Sequence, residues 1–181
     1  MDILIRSFIT PVGELLLGSY QGALCLCDWK ERRSRNDVDR RLQRGIGVRY
    51  KEGTSPVIEQ AMDQLNAYFA GGRPFLDVPL HMVGTAFQRR VWEVLRSIPY
   101  GAMVSYAELS DQVADRTAIR AVAAANGANA LSLFIPCHRV LGSDGALIGY
   151  AGGIMAKRFL LELEGAFPRN PPGLFDGPGP M

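Results

Sequence analysis

The apolar positions fall first into three short runs. Ile3 to Phe8, Glu14 to Gly18 and Ala23 to Trp29 are separated by the turn-like Pro11-Val12-Gly13 and Tyr20-Gln21-Gly22, a pattern that predicts a small meander sheet. Lys30 to Arg44 is basic-rich and poor in apolar residues, and is expected to be a solvated loop and short helix, because charge runs usually face water. Ser55-Pro56 then supplies an N-cap and a first-turn proline. Val57, Ile58, Ala61, Leu65, Tyr68 and Phe69 follow at helical spacing until Gly71-Gly72. Prolines at 74 and 79 make Arg73 to Val83 an extended linker, and a domain boundary is placed there.

Beyond the linker the periodicity turns helical. Thr85 to Gln88 has the form of a capping box, and Phe87, Val91, Val94, Leu95 and Ile98 keep helical spacing up to Pro99-Tyr100-Gly101. Ser105 to Glu108 is a second capping box, opening a helix through about Val113. A third helix is expected from Thr117 to Asn126, stopped by Gly127. Two short helices joined by a tight turn make a helix-turn-helix. The third helix is almost all alanine around Arg120, Val122 and Asn126; alanine favours helix, and small side chains also let a helix backbone press into a narrow groove. Leu141 to Tyr150, turning at Gly142-Ser143-Asp144-Gly145, predicts a hairpin, and Ile154 to Glu164 a last amphipathic helix closed by Gly165. Residues 167–181 hold five prolines and three glycines, the composition of a disordered tail.

Composition narrows the class without naming it. The 181 residues are 48% hydrophobic, enough for a core, yet no stretch approaches the roughly 20 apolar residues of a membrane span. The N-terminus lacks a signal-peptide pattern, so a cytoplasmic protein without a membrane partner is expected. Three cysteines, an odd number, argue against a disulfide framework. Cys25 and Cys27 lie on one face of a strand and are expected in the core, and with only His81 and His138 beside them no zinc spacing exists. A net charge of +2 is a weak signal for nucleic acid.

The chemistry concentrates in Phe134-Ile135-Pro136-Cys137-His138-Arg139-Val140. A cysteine attacks as thiolate, so an imidazole able to take its proton, in a pocket opened by a proline turn, converts an inert thiol into a nucleophile. Around it stand Ser105-Tyr106-Ala107-Glu108-Leu109, the run Arg120 to Asn129, and Gly149-Tyr150-Ala151-Gly152-Gly153. In order and spacing these motifs resemble the O6-alkylguanine-DNA alkyltransferases, closely from about Gly84 to Gly165 and loosely before that, with the free-standing bacterial form the nearest in character.

The resemblance implies an α+β protein. A small N-terminal α/β domain of ribonuclease H-like type (1–83) precedes a mainly helical winged helix-turn-helix catalytic domain (84–166) and the tail (167–181). It implies direct-reversal repair: an alkyl group passes from guanine O6, and from thymine O4, to Cys137 in one irreversible turnover. Its partner is double-stranded DNA, bound through the minor groove with the lesion flipped out. His138 acts as base through a bridging water, Glu164 orients it, Tyr106 donates to the departing base, and Asn129 braces the Cys137 turn. Arg120 fills the gap left by the base, with Thr117, Ala121, Ala124 and Ala125 along the groove-facing helix; Pro136, Tyr150 and Ala151 line the pocket. No cofactor or metal is expected, and the chain is expected to act as a monomer. Two other readings remain open: a cysteine hydrolase with a Cys137-His138-Glu164 triad, which would turn over, and a winged helix-turn-helix regulator that would survive loss of Cys137.

Overall fold

The computed structural model describes residues 1–73 and 76–168. The expected meander is present: β1 (Ile3–Thr10), β2 (Gly13–Tyr20) and β3 (Ala23–Trp29) pair antiparallel in sequence order. A fourth strand, β4 (Tyr50–Glu52), lies parallel to β1 on the far side, giving the order β3-β2-β1-β4. Nothing in Tyr-Lys-Glu marks a strand; backbone pairing with β1 makes it one. Between β3 and β4, α1 (Arg35–Ile46) closes on Gly47 in the left-handed region; after β4, α2 (Pro56–Phe69) starts as its sequence predicts, with the Ser55 hydroxyl accepting from the Ile58 amide.

The open edge of β3 is not left bare. The Leu24 amide donates to Pro79, the His81 amide donates to Leu24, and the Cys27 amide donates to Ala130. The described part of the expected linker is therefore extended and bound to the sheet, and the chain approaching Cys137 is fastened to the same edge, which satisfies strand groups that would otherwise pair elsewhere.

The second half contains α3 (Ala86–Arg96), α4 (Tyr106–Val113), α5 (Ile119–Gly127) and α6 (Ile154–Leu163). Both capping boxes form: Thr85 and Gln88 exchange bonds at the start of α3, as do Ser105 and Glu108 at the start of α4. The third predicted helix begins with a 3₁₀ turn, Arg116–Ala118, because the Asp115 carboxylate captures the Thr117 amide, and only then becomes α5. Two-residue strands β5 (Val104–Ser105) and β6 (Val140–Leu141) pair in parallel, holding the start of α4 beside the chain that leaves Cys137.

The expected hairpin over 141–150 does not form. Only a turn is present, closed by the Gly142 amide on Ala146. The carbonyls of Val140, Ile148 and Gly149 are instead taken by the ammonium of Lys157, which removes the acceptors a second strand would have used. The predicted tail lies outside the described residues from 169 onward.

The main apolar core runs through the α+β body, from Phe8, Leu15 and Leu17 of the sheet past Leu65 of α2 to Val91, Leu109, Val122 and Leu160, and a smaller cluster joins Leu26, Val38, Leu42 and Ala130. Cys25 and Cys27 are buried as expected. Among the described residues no helix is long and apolar enough to cross a membrane.

Candidate active site

Two turns set Cys137. Leu133 is held at φ 74°, a left-handed conformation costly for leucine, and its buried side chain pins it there. Asn129 clamps the same loop from both ends: its Nδ2 donates to Ile135 (2.8 Å) and its Oδ1 accepts from the Leu131 amide (2.9 Å). Pro136 follows, with the Cys137 amide donating back to Ile135 (2.8 Å), and Cys137–Arg139 form a 3₁₀ turn.

Behind the thiol the polar groups are packed away from solvent. His138 is fully buried, and its Nε2 lies 2.7 Å from Glu164 Oε1. Glu164, just past α6, also accepts from Arg139 Nε (2.8 Å) and Nη2 (2.9 Å) and from the Tyr68 hydroxyl (2.7 Å). Burial disfavours the carboxylate, but the hydrogen bond from His138 and the hydrogen bonds and charge of Arg139 outweigh it and hold Glu164 well below its ordinary value. Burial also lowers the His138 pKa, against the opposing pull of Glu164, so the imidazole is neutral. A neutral ring facing an ionised carboxylate must place its hydrogen on Nε2. Nδ1 then carries the lone pair, and it is buried without a hydrogen-bond partner among the described residues.

Cys137 itself rests as a thiol. Burial pushes its pKa up, partly offset by Asn129, Lys157 and Arg32. It lines a cavity of about 1080 Å³ together with Tyr106, Asn126, Tyr150, Val12 and Trp29. Burial, and then the proximity of Cys137, raise the pKa of Tyr106, which keeps its phenolic hydrogen. The β5–β6 pairing is what carries Tyr106 to the thiol. Tyr150 accepts from Trp29 Nε1 (3.0 Å), and Gly152 meets the same indole so closely that a Cβ would stand 2.6 Å from it.

The structure brings Cys137, Tyr106, Asn129, Tyr150, Ala151 and Arg120 to the cavity and sets His138 and Glu164 behind it, while Pro136 shapes the turn. Arg120 is exposed and stands at the cavity mouth; Thr117, Ala121 and Ala124 share the exposed surface beside it. Ala125 does not. It is 2% exposed, on the inward side of α5 with Val122, so the helical repeat removes it from any groove-facing surface.

Three contributions were not foreseen. Trp29 gave no sequence signal beyond ending a strand. Lys157 shares the inward stripe of α6 with Leu160, Leu161 and Glu164, a lysine where an apolar residue is expected; fully buried, it is pushed down to about 8 while bracing the loop before Tyr150. The basic run is the third, and here the expectation of a solvated segment is corrected. Arg32 and Arg35 both pair with buried Asp28 (3.0 Å each). Arg32 also donates to Gly127 (2.6 Å) and Asn129 (3.1 Å), and Arg41 to Ala128 (2.6 Å). The Gly127 and Ala128 carbonyls lie at the C-terminus of α5, where acceptors are left unpaired and cations are favoured. Arg32→Ala is accordingly expected to cost about 2 kcal/mol in urea unfolding, the scale of charged hydrogen bonds, while Arg33→Ala, exposed one residue on, stays within about 0.5 kcal/mol.

Comparison with known proteins follows the same outline. Residues 86–166 match the family described as 6-O-methylguanine DNA methyltransferase, DNA binding domain. A methylated-DNA–protein-cysteine methyltransferase of Mycobacterium bovis is 56% identical over 104 residues, 58% of this chain and 63% of that protein, so the match spans less than two thirds of that relative. The protein of the same name from Mycobacterium leprae is 41% identical over 162 residues, 88% of this chain and 90% of its own length. The crystal structure of Mycobacterium tuberculosis OGT in complex with DNA superposes with a TM-score of 0.77 at 41% identity, covering 90% of this chain and 93% of that one.

Proposed function

Because the chain belongs to the methylated-DNA–protein-cysteine methyltransferase family, we propose that it repairs DNA by moving a methyl or other alkyl group from guanine O6, and from thymine O4, onto Cys137. The observation that carries this reading is the buried chain Cys137, His138 and Glu164 opening into a cavity whose mouth is edged by Arg120. We read residues 1–83 as a ribonuclease H-like domain and 84–166 as a winged helix-turn-helix in which α4 and α5 are the helix pair; in place of a hairpin wing stands the Lys157-braced turn.

The lesion sits at the Watson–Crick edge, out of reach of any thiol while the base is stacked. Exposed Thr117, Ala121 and Ala124 let α5 approach the minor groove, and Arg120 enters the stack as the base leaves it. Behind the thiol, His138 Nδ1 takes its proton, through a bridging water, and the carboxylate of Glu164 steadies the imidazolium that forms. The sulfur–carbon bond then forms as the carbon–O6 bond breaks, the electron pair staying on the guanine. The Tyr106 hydroxyl donates toward that charge. The product is a thioether, a bond that water does not cleave under ordinary conditions, so the transfer is irreversible.

Intact-mass measurement with excess duplex carrying O6-methylguanine tests the reading: the protein should gain one methyl, on the peptide containing Cys137, and then stop. Product release beyond one equivalent would favour the hydrolase. The wedge has its own test, since only a duplex requires extrusion. Arg120→Ala should slow repair of duplex DNA by roughly 10-fold or more, the scale of unstacking a base, while leaving reaction with free O6-alkylated guanine unchanged. Equal losses on both would remove Arg120 from that role.

A further inference from the structure

Among the side chains that line the cavity, Asn126 is a buried polar group that the mechanism above does not use. Asn126, on the cavity-facing side of α5, is 5% exposed. Its Nδ2 donates to the Tyr106 hydroxyl at 3.2 Å, whereas its Oδ1 is buried with no hydrogen-bond partner among the described residues. A buried amide oxygen without a donor is unfavourable, and such a group in a binding cavity favours a ligand that brings an N–H to it. The donation to Tyr106 also has a direction. It occupies a lone pair of the phenol and leaves the phenolic hydrogen free to be given to the base.

Guanine alkylated at O6 keeps one kind of N–H donor on its pyrimidine ring, the 2-amino group. That group lies between ring nitrogens N1 and N3, so it neighbours whichever of them Tyr106 reaches. O4-alkylthymine offers only acceptors along the corresponding edge. Resting on the alkyl-transfer reading, we propose that Asn126 reads the 2-amino group of the flipped guanine through Oδ1, and thereby sets the preference of this protein for guanine over thymine lesions. Asn126 is then a specificity residue that touches the substrate, and its amide couples recognition of the amine to the placing of the Tyr106 hydrogen.

The test compares single-turnover methyl transfer from two otherwise identical duplexes, one with O6-methylguanine and one with O6-methylhypoxanthine, which lacks only the 2-amino group. The wild-type protein should favour guanine by on the order of 10- to 100-fold, the scale of a buried hydrogen bond left unmade. Asn126→Leu should bring the ratio to within about twofold of unity, and Asn126→Asp, which keeps an acceptor, should retain the preference. Loss of support for Tyr106 slows both substrates alike and leaves the ratio unchanged, so the ratio isolates the amine contact. Equal wild-type rates on the two duplexes, a preference that survives Asn126→Leu, or one lost in Asn126→Asp would each overturn the role of Asn126 while leaving alkyl transfer in place. Failure of the wild type to acquire a methyl from either duplex would overturn the alkyl-transfer reading itself.

Discussion

Cys137→Ala is expected to abolish methyl uptake while leaving affinity for duplex DNA within about twofold, because the substitution removes one buried atom and touches none of the exposed α5 surface. The loss should be complete rather than partial. Cys25 and Cys27 are also free thiols, but burial pushes Cys25 up to about 12 and Cys27 higher still, and the imidazole of His138 adjoins Cys137 in the chain. They cannot stand in as nucleophiles at neutral pH. Peptide mapping after reaction with labelled O6-methylguanine DNA checks the assignment, and a filter-binding or anisotropy titration checks the retained affinity. Label on Cys25 or Cys27, or uptake persisting in the variant, would overturn it. A variant that neither reacts nor binds would instead point to a structural role for the thiol.

Glu164→Ala is expected to damage both stability and transfer. It would leave Arg139 buried without its carboxylate, His138 without an orienting partner and the Tyr68 hydroxyl without an acceptor. Removing one member of a buried ion pair costs about 3–5 kcal/mol, a large part of the stability of an ordinary domain. Glu164→Gln preserves the shape and should fold better. Without the negative charge, however, Nε2 is no longer held as the donor and the imidazolium loses its stabiliser, so transfer should slow by roughly 10²- to 10⁴-fold. A Gln variant with wild-type single-turnover kinetics would show that Glu164 is only structural.

The same pair sets the acid sensitivity. His138 has a folded pKa below its ordinary 6.5 and Glu164 one below its ordinary 4.5, so in each case the unfolded chain binds protons more readily than the folded one. Their contribution is complete above about pH 6.5. It falls as His138 begins to draw protons in the unfolded state, and falls further below about pH 4.5 as Glu164 does the same. Urea unfolding as a function of pH should show this decline, and Glu164→Gln should flatten its lower part.

Much of this protein is written locally in the chain. The β1–β3 meander, the Ser55-Pro56 start of α2, both capping boxes and the Pro-Cys-His run depend on contacts within a few residues, so alternation, caps and turn residues determine them before any tertiary contact forms. That Cys137 and His138 are neighbours in the chain is likewise read directly from the sequence. The rest depends on what distant segments do to one another. β4 is a strand only because β1 offers it an edge, and the expected hairpin after Leu141 is lost because Lys157 takes its carbonyls. Ala125 turns inward because α5 packs on α3 and α4. The basic run after Trp29 looks like a water-facing segment until Asp28 and the C-terminus of α5 are placed beside it, and then its arginines become the clamp on the active-site helix. Charge by itself does not say whether its partner is water or a buried carbonyl; only the packing of one half of the chain against the other decides that, since the desolvation that makes such a contact strong exists only in the folded state.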